Sequence, residues 1–143
     1  MITRTMMDGG NGSRISDDAR DKALVDIEDL LQRVMVPFFL FGETARSLKE
    51  DRILKGEVIE IGVREVDLTQ SALNTIKTFD FNGTFKETLS GFEYESHGIP
   101  IKVTLVKRRY KFLDHPDYIF YRAGEYLIPN PFDGYWRARR LVQ

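Results

Sequence analysis

The sequence predicts a single α+β domain. Three observations carry that reading: an amphipathic helical pattern over Asp17–Met35 closed by Pro37, two short apolar runs at Phe38–Phe41 and Val58–Val63, and an alternating hairpin pattern between Phe92 and Val106. The chain has 143 residues, enough for one core that needs no staples. With no cysteine, a disulfide framework is excluded. The formal net charge of -1 gives no global field to recruit nucleic acid or anionic membrane. No apolar run approaches the roughly 20 residues that span a bilayer, and Met1 to Ile15 lacks the apolar core of a signal peptide. These features point to a soluble cytoplasmic protein with no membrane partner.

Residues 1–15 include Asp8-Gly9-Gly10-Asn11-Gly12-Ser13, a composition that buries too little surface to offset its ordering entropy, so they read as a disordered tail before a domain over 16–143. Ser16 is an N-cap with Asp17 and Asp18 at the positive helix end. Leu24, Ile27, Leu31 and Val34 share one helical face, while Asp21, Asp26, Glu28 and Asp29 fall largely elsewhere. Phe38–Phe41 is a buried strand that ends at Gly42, where the backbone turns sharply. Thr44 caps a short helix, Ala45 to Asp51, so this order places a helix N-terminus and its N–H groups at a strand end, a natural anion seat.

Val58–Val63 carries a carboxylate in its middle. In a period of two, Ile59, Ile61 and Val63 face the core, and Val58, Glu60 and Gly62 face away. Burying an unpaired carboxylate is costly, so Glu60 must meet water, a cation or a metal. Asp67 is the N-cap candidate for a helix reaching Phe79, and Asn82-Gly83 marks a turn. Phe92–Ser96 and Ile101–Val106 form a hairpin around His97-Gly98-Ile99-Pro100. The basic cluster Lys107-Arg108-Arg109 reads as a solvated strand end, and Leu113-Asp114-His115-Pro116 as a turn. Tyr118–Tyr121 is an aromatic strand or helix start, and Glu125–Trp136 an extended clamp fixed by Pro129 and Pro131. His97 and His115 have no cysteine or nearby histidine, which argues against zinc. Neutral overall charge argues against a nucleic-acid partner, although aromatics do lie among Arg137, Arg139 and Arg140.

Leu40-Phe41-Gly42-Glu43-Thr44 and Ile59-Glu60-Ile61-Gly62, in this order of elements, resemble the nucleotidyltransferase fold, a mixed β-sheet flanked by helices. With Tyr126-Leu127-Ile128-Pro129 and Tyr135-Trp136, they look most similar to its LicD-type phosphocholine-transferase branch. The resemblance implies a nucleoside triphosphate substrate held with Mg²⁺ and a nucleotidyl or phosphoryl-linked group moved to an acceptor. It implies that Gly42, Glu43, Thr44 and Lys102 bind the nucleotide and that Glu57 and Glu60 are the catalytic, metal-holding acids. Hard Mg²⁺ takes carboxylate oxygens together with substrate phosphates. The sequence departs from the pattern at Val58, where the first acid is expected, at Lys102 on the later strand, and at Glu43 in the turn. Two inferences compete. Either Glu43, Glu57 and Glu60 form an all-glutamate metal cluster, or the fold is kept as an inactive binding module in which Lys102 neutralises Glu60.

Overall fold

The structure is a computed structural model that describes residues 18–51, 57–107, 118–122, 125–130 and 134–138. The expected tail, the Ser16 cap, the cluster at 108–109 and the turn at 113–116 lie outside the described residues.

Helix α1, Asp18–Arg33, buries Ala23, Leu24, Ile27, Leu30 and Leu31 as its periodicity requires. It ends earlier than Met35. Met35 takes a left-handed φ of 59°, and Val36 N–H reaches Leu31 C=O at 2.9 Å while Met35 N–H reaches Gln32 C=O at 3.0 Å. That is a Schellman close, so the last turn is stopped by its own carbonyls before Pro37 acts. Glu28 is also not on the solvated side. It is fully buried and accepts a hydrogen bond from the Tyr126 hydroxyl, a partner contributed by the distant C-terminal segment. The side-chain amide of Gln32 donates to the Tyr121 hydroxyl at 3.0 Å, a second tie between α1 and that segment.

Strand β1, Phe39–Phe41, passes directly into helix α2, Gly42–Asp51, and is followed by β2, Ile59–Arg64. Helix α3, Gln70–Lys77, is capped by Thr69, whose hydroxyl accepts from Ala72 N–H at 3.1 Å. The expected cap, Asp67, is instead gripped by the Arg64 guanidinium through contacts of 2.7 and 3.0 Å. Strands β3 (Lys86–Thr88), β4 (Gly91–Ser96), β5 (Ile99–Val106), β6 (Tyr118–Arg122), β7 (Glu125–Asn130) and β8 (Gly134–Ala138) complete the described elements. The segment expected as a clamp is thus a β-hairpin. Pro129 pairs with Tyr135 of β8 and lies beyond residues 125–127, the part of β7 that pairs with β6.

The sheet order is β3-β4-β5-β2-β1-β6-β7-β8. The β2–β5 pair is parallel and the other pairs are antiparallel. Leu24, Ile27 and Leu31 from α1, Ala45 and Leu48 from α2, and Leu73 and Ile76 from α3 share one cluster with Ile59, Ile61, Phe92, Ile101 and Val103. The three described helices therefore cover one face. On the other face Phe39, Tyr118 and Phe120 form a smaller aromatic cluster with Phe41 and Val106 against it. Gly62 lies beneath this cluster, where a methyl group would stand 2.3 Å from the Phe39 ring. Among the described residues no helix is long and apolar enough to cross a membrane.

Candidate functional site

The face that no described helix covers carries a row of charged side chains. Register fixes their order: Glu60 lies beside Lys102 across the parallel β2–β5 pair, Lys102 opposite Glu93 across β4–β5, and Glu93 opposite Lys86 across β3–β4. The result is an alternating row of carboxylates and ammonium groups that ends, on the β1 side, at the Gly42 corner. Cross-strand pairs of opposite charge each stabilise a sheet by roughly 0.2–1 kcal/mol, so the row has a structural role whatever else it does.

At the corner Gly42 takes φ +58°, the left-handed region that allows the strand to enter a helix without a loop. The first helical amide then points toward β2. Glu43 N–H donates to Glu60 Oε2 at 3.0 Å, and a Cβ at Gly42 would stand only 2.8 Å from Glu60 Oε1. The Glu60 carboxylate therefore sits in the seat that the helix N-terminus offers an anion, where the dipole favours negative charge. Among the described residues the hydrogen bonds show no donor on Oε1, and the side chain is half-buried.

Thr44 does not cap the helix. It lies within α2, is 1% exposed, and its hydroxyl accepts from Glu60 N–H at 2.9 Å while donating to Val58 C=O at 3.4 Å. Both hydroxyl functions are engaged on the β2 backbone, so Thr44 fixes the strand that presents Glu60. The cap is unnecessary because Glu60 itself receives a first-turn N–H. Glu43 turns along the helix to Arg46, with Oε1 at 2.9 Å from Nη2. Glu57 is exposed in the bend before β2.

Val58, on the Glu60 side of the chain, is 37% exposed. Together with Thr84, Lys86, Glu93, Pro100 and Lys102 it lines an open cleft of about 370 Å³. Among the described residues no three His, Cys, Asp or Glu side chains gather as a metal site, so Glu43, Glu57 and Glu60 do not form the all-glutamate cluster. The reason is visible in Glu43, which follows the helix surface to its arginine. Lys102 is exposed and adjacent to Glu60 by register, and among the described residues it forms no direct ion pair with it.

Sequence reasoning missed Glu93 and Lys86. Glu93 was within reach of it: a two-residue turn at His97-Gly98, with φ of 54° and 77°, forces residue 93 opposite residue 102. Lys86 depends on β3, three residues with no apolar signal.

No family model matches the chain. No curated protein matches it either. Among solved structures, the antibiotic-resistance factor ANT(2'')-Ia superposes with a TM-score of 0.52 at 16% identity, over 89% of this chain and 65% of that one. The fold is nucleotidyltransferase-like. At that identity the likeness shows architecture alone, and the chain spans 65% of the length of the structure it matches.

Proposed function

We propose that this nucleotidyltransferase-like protein takes a nucleotide with magnesium over the Gly42 corner and moves a nucleotidyl or phosphoryl-linked group to an acceptor. One observation supports it above the others: an apolar strand carries Glu60 to the N-terminus of α2, beside a cleft that also presents Lys86 and Lys102. A carboxylate in that position turns an anion seat into a cation seat. Phosphates then approach through the cation and not through the helix amide, which Glu60 already engages.

The donor set fits an ion shared with the substrate and does not fit a self-sufficient one. Mg²⁺ is commonly held by one or two carboxylates plus phosphates, and Glu60 Oε1 is the oxygen turned to the corner. Glu57, exposed just before β2, is the second carboxylate of the proposal. When bound, the ion would neutralise charge developing on the phosphoryl oxygens. The chain's own contribution is positioning. Glu43 N–H and the Thr44 hydroxyl fix Glu60, Gly42 gives the carboxylate clearance, and Lys102 supplies a cation for phosphate beside it. The LicD-like motifs favour a phosphoryl-linked group such as a phosphocholine-type donor. The fold likeness to ANT(2'')-Ia supports nucleotidyl transfer at the coarser level.

A second reading, an inactive binding module on the same fold, is favoured by Val58 in place of an acid and by the absence of a three-carboxylate group among the described residues. Titrating ATP and CTP with and without Mg²⁺, on the wild type and on Glu60→Gln, tests the proposal. Magnesium should tighten binding by at least about tenfold in the wild type and have no effect in the variant. Equal binding in every arm overturns the nucleotide reading, and magnesium-dependent binding without turnover selects the binding module.

A further inference from the structure

The charged row beside Gly42 differs from the other charged pairs of the described residues. Elsewhere opposite charges close on one another: Glu43 meets Arg46 at 2.9 Å, Arg64 meets Asp67 at 2.7 Å and Lys77 meets Glu87 at 2.8 Å. In the row, Glu60, Lys102, Glu93 and Lys86 occupy neighbouring register positions, yet among the described residues no ion pair joins any two of them. Glu93 is a half-buried acid lining the open cleft that Lys102 and Lys86 also line.

The strand that carries Glu93 is held on both sides. β4 pairs with β3 and β5 at once, so residue 93 stands opposite Lys86 on one side and Lys102 on the other. Just beyond the end of β3, Glu95 N–H donates to the Thr84 hydroxyl at 3.0 Å, and that hydroxyl donates to Phe81 C=O at 2.6 Å. Alternation along β4 sends Phe92 and Tyr94 into the core and Glu93 to the face that no described helix covers. A carboxylate on a doubly paired strand is positioned with the precision that proton transfer requires.

Glu60 and Glu93 stand two strands apart, about 9.5 Å at the ordinary strand spacing, which leaves room for a phosphoryl group and the oxygen that attacks it. An attacking oxygen lies about 3–3.5 Å from the atom it attacks, and its base about 2.6–3.2 Å from that oxygen. We infer that Glu93 is the general base of the proposed transfer and that the acceptor is a hydroxyl compound seated in the cleft, an inference that rests on the nucleotide reading. A lone pair of the acceptor oxygen forms the bond to the α-phosphorus of the nucleoside triphosphate. The bond from that phosphorus to the bridging oxygen breaks, and its electron pair leaves on pyrophosphate. The hydroxyl proton passes to a Glu93 carboxylate oxygen and from there to water. Lys102, between the two acids in the row, supplies positive charge where the phosphoryl oxygens gather negative charge.

Glycerol serves as the hydroxyl probe, with ATP or CTP and Mg²⁺, and the full chain is followed by nucleotide affinity, pyrophosphate release and the pH profile of that release. Glu93→Gln should keep magnesium-dependent nucleotide affinity within about twofold and lose at least about a hundredfold in turnover, together with the acid limb of the wild-type profile. Glu93→Ala should lose turnover likewise and regain it on adding formate, a rescue that a purely structural carboxylate would not show. Turnover unchanged in both variants, or lost without formate rescue and with the acid limb intact, overturns the inference and leaves the nucleotide reading standing. Magnesium-dependent binding with no turnover in the wild type also overturns it, and a wild type that binds no nucleotide removes both readings.

Discussion

Gly42→Ala loses about 1–3 kcal/mol of stability and with it the magnesium-dependent nucleotide affinity. The first loss has two sources. A left-handed φ of +58° costs a residue with a Cβ roughly 1–2 kcal/mol. The added methyl would also stand 2.8 Å from Glu60 Oε1 and 3.0 Å from Oε2, so the carboxylate has to leave the helix N-terminus. That forfeits a charge–dipole contact worth about 0.3–1 kcal/mol at an exposed site. The second loss follows from the same movement, because the oxygen that would meet the cation is the one displaced. Urea unfolding gives the stability change, and nucleotide titration with and without Mg²⁺ gives the affinity. A variant as stable as wild type that still binds in a magnesium-dependent way would contradict the corner geometry.

Phe39→Ala has the larger effect on stability, about 3–5 kcal/mol, as expected for a large aromatic removed from a packed site. Phe39 is fully buried on the face that no described helix covers and meets Tyr118 at a centroid distance of 4.8 Å, Phe120 at 5.9 Å and Phe41 at 6.2 Å. Its ring also covers Gly62, where a methyl would come within 2.3 Å of it. Gly62→Ala should therefore cost about 1–3 kcal/mol in the wild type by overpacking. In the Phe39→Ala background the same methyl enters vacated space, so its cost should fall sharply and the two changes should be non-additive. Additive losses measured by urea unfolding of both single variants and the double variant would show that the ring does not lie on Gly62.

These two positions also show what the residue order reveals by itself. The apolar run halted by a glycine announced the sharp corner at Gly42, and a period of two along Val58–Val63 turned Glu60 away from the core. Both inferences need only local sterics and alternation. The burial of Glu28 needed more, because its partner Tyr126 lies 98 residues away in a segment that reads as an extended clamp and pairs as β7. Thr44 misled for a related reason. A hydroxyl beside a helix start is ordinarily a cap, but here the cap arrives from β2 as Glu60, which leaves Thr44 to bind the β2 backbone. The placement of Lys102 beside Glu60 rests on a parallel pairing between β2 and β5, two strands separated in the chain by α3, β3 and β4, and no local pattern sets that register.

In the proposed function a cation meets this protein at the Glu60 carboxylate, seated over Gly42. Crystals of the full chain soaked with Mn²⁺ and a nucleoside triphosphate test it directly. An anomalous peak about 2 Å from a Glu60 oxygen, bridging to phosphate, is the predicted result. A peak held elsewhere, or phosphates bound with no metal at Glu60, would contradict it.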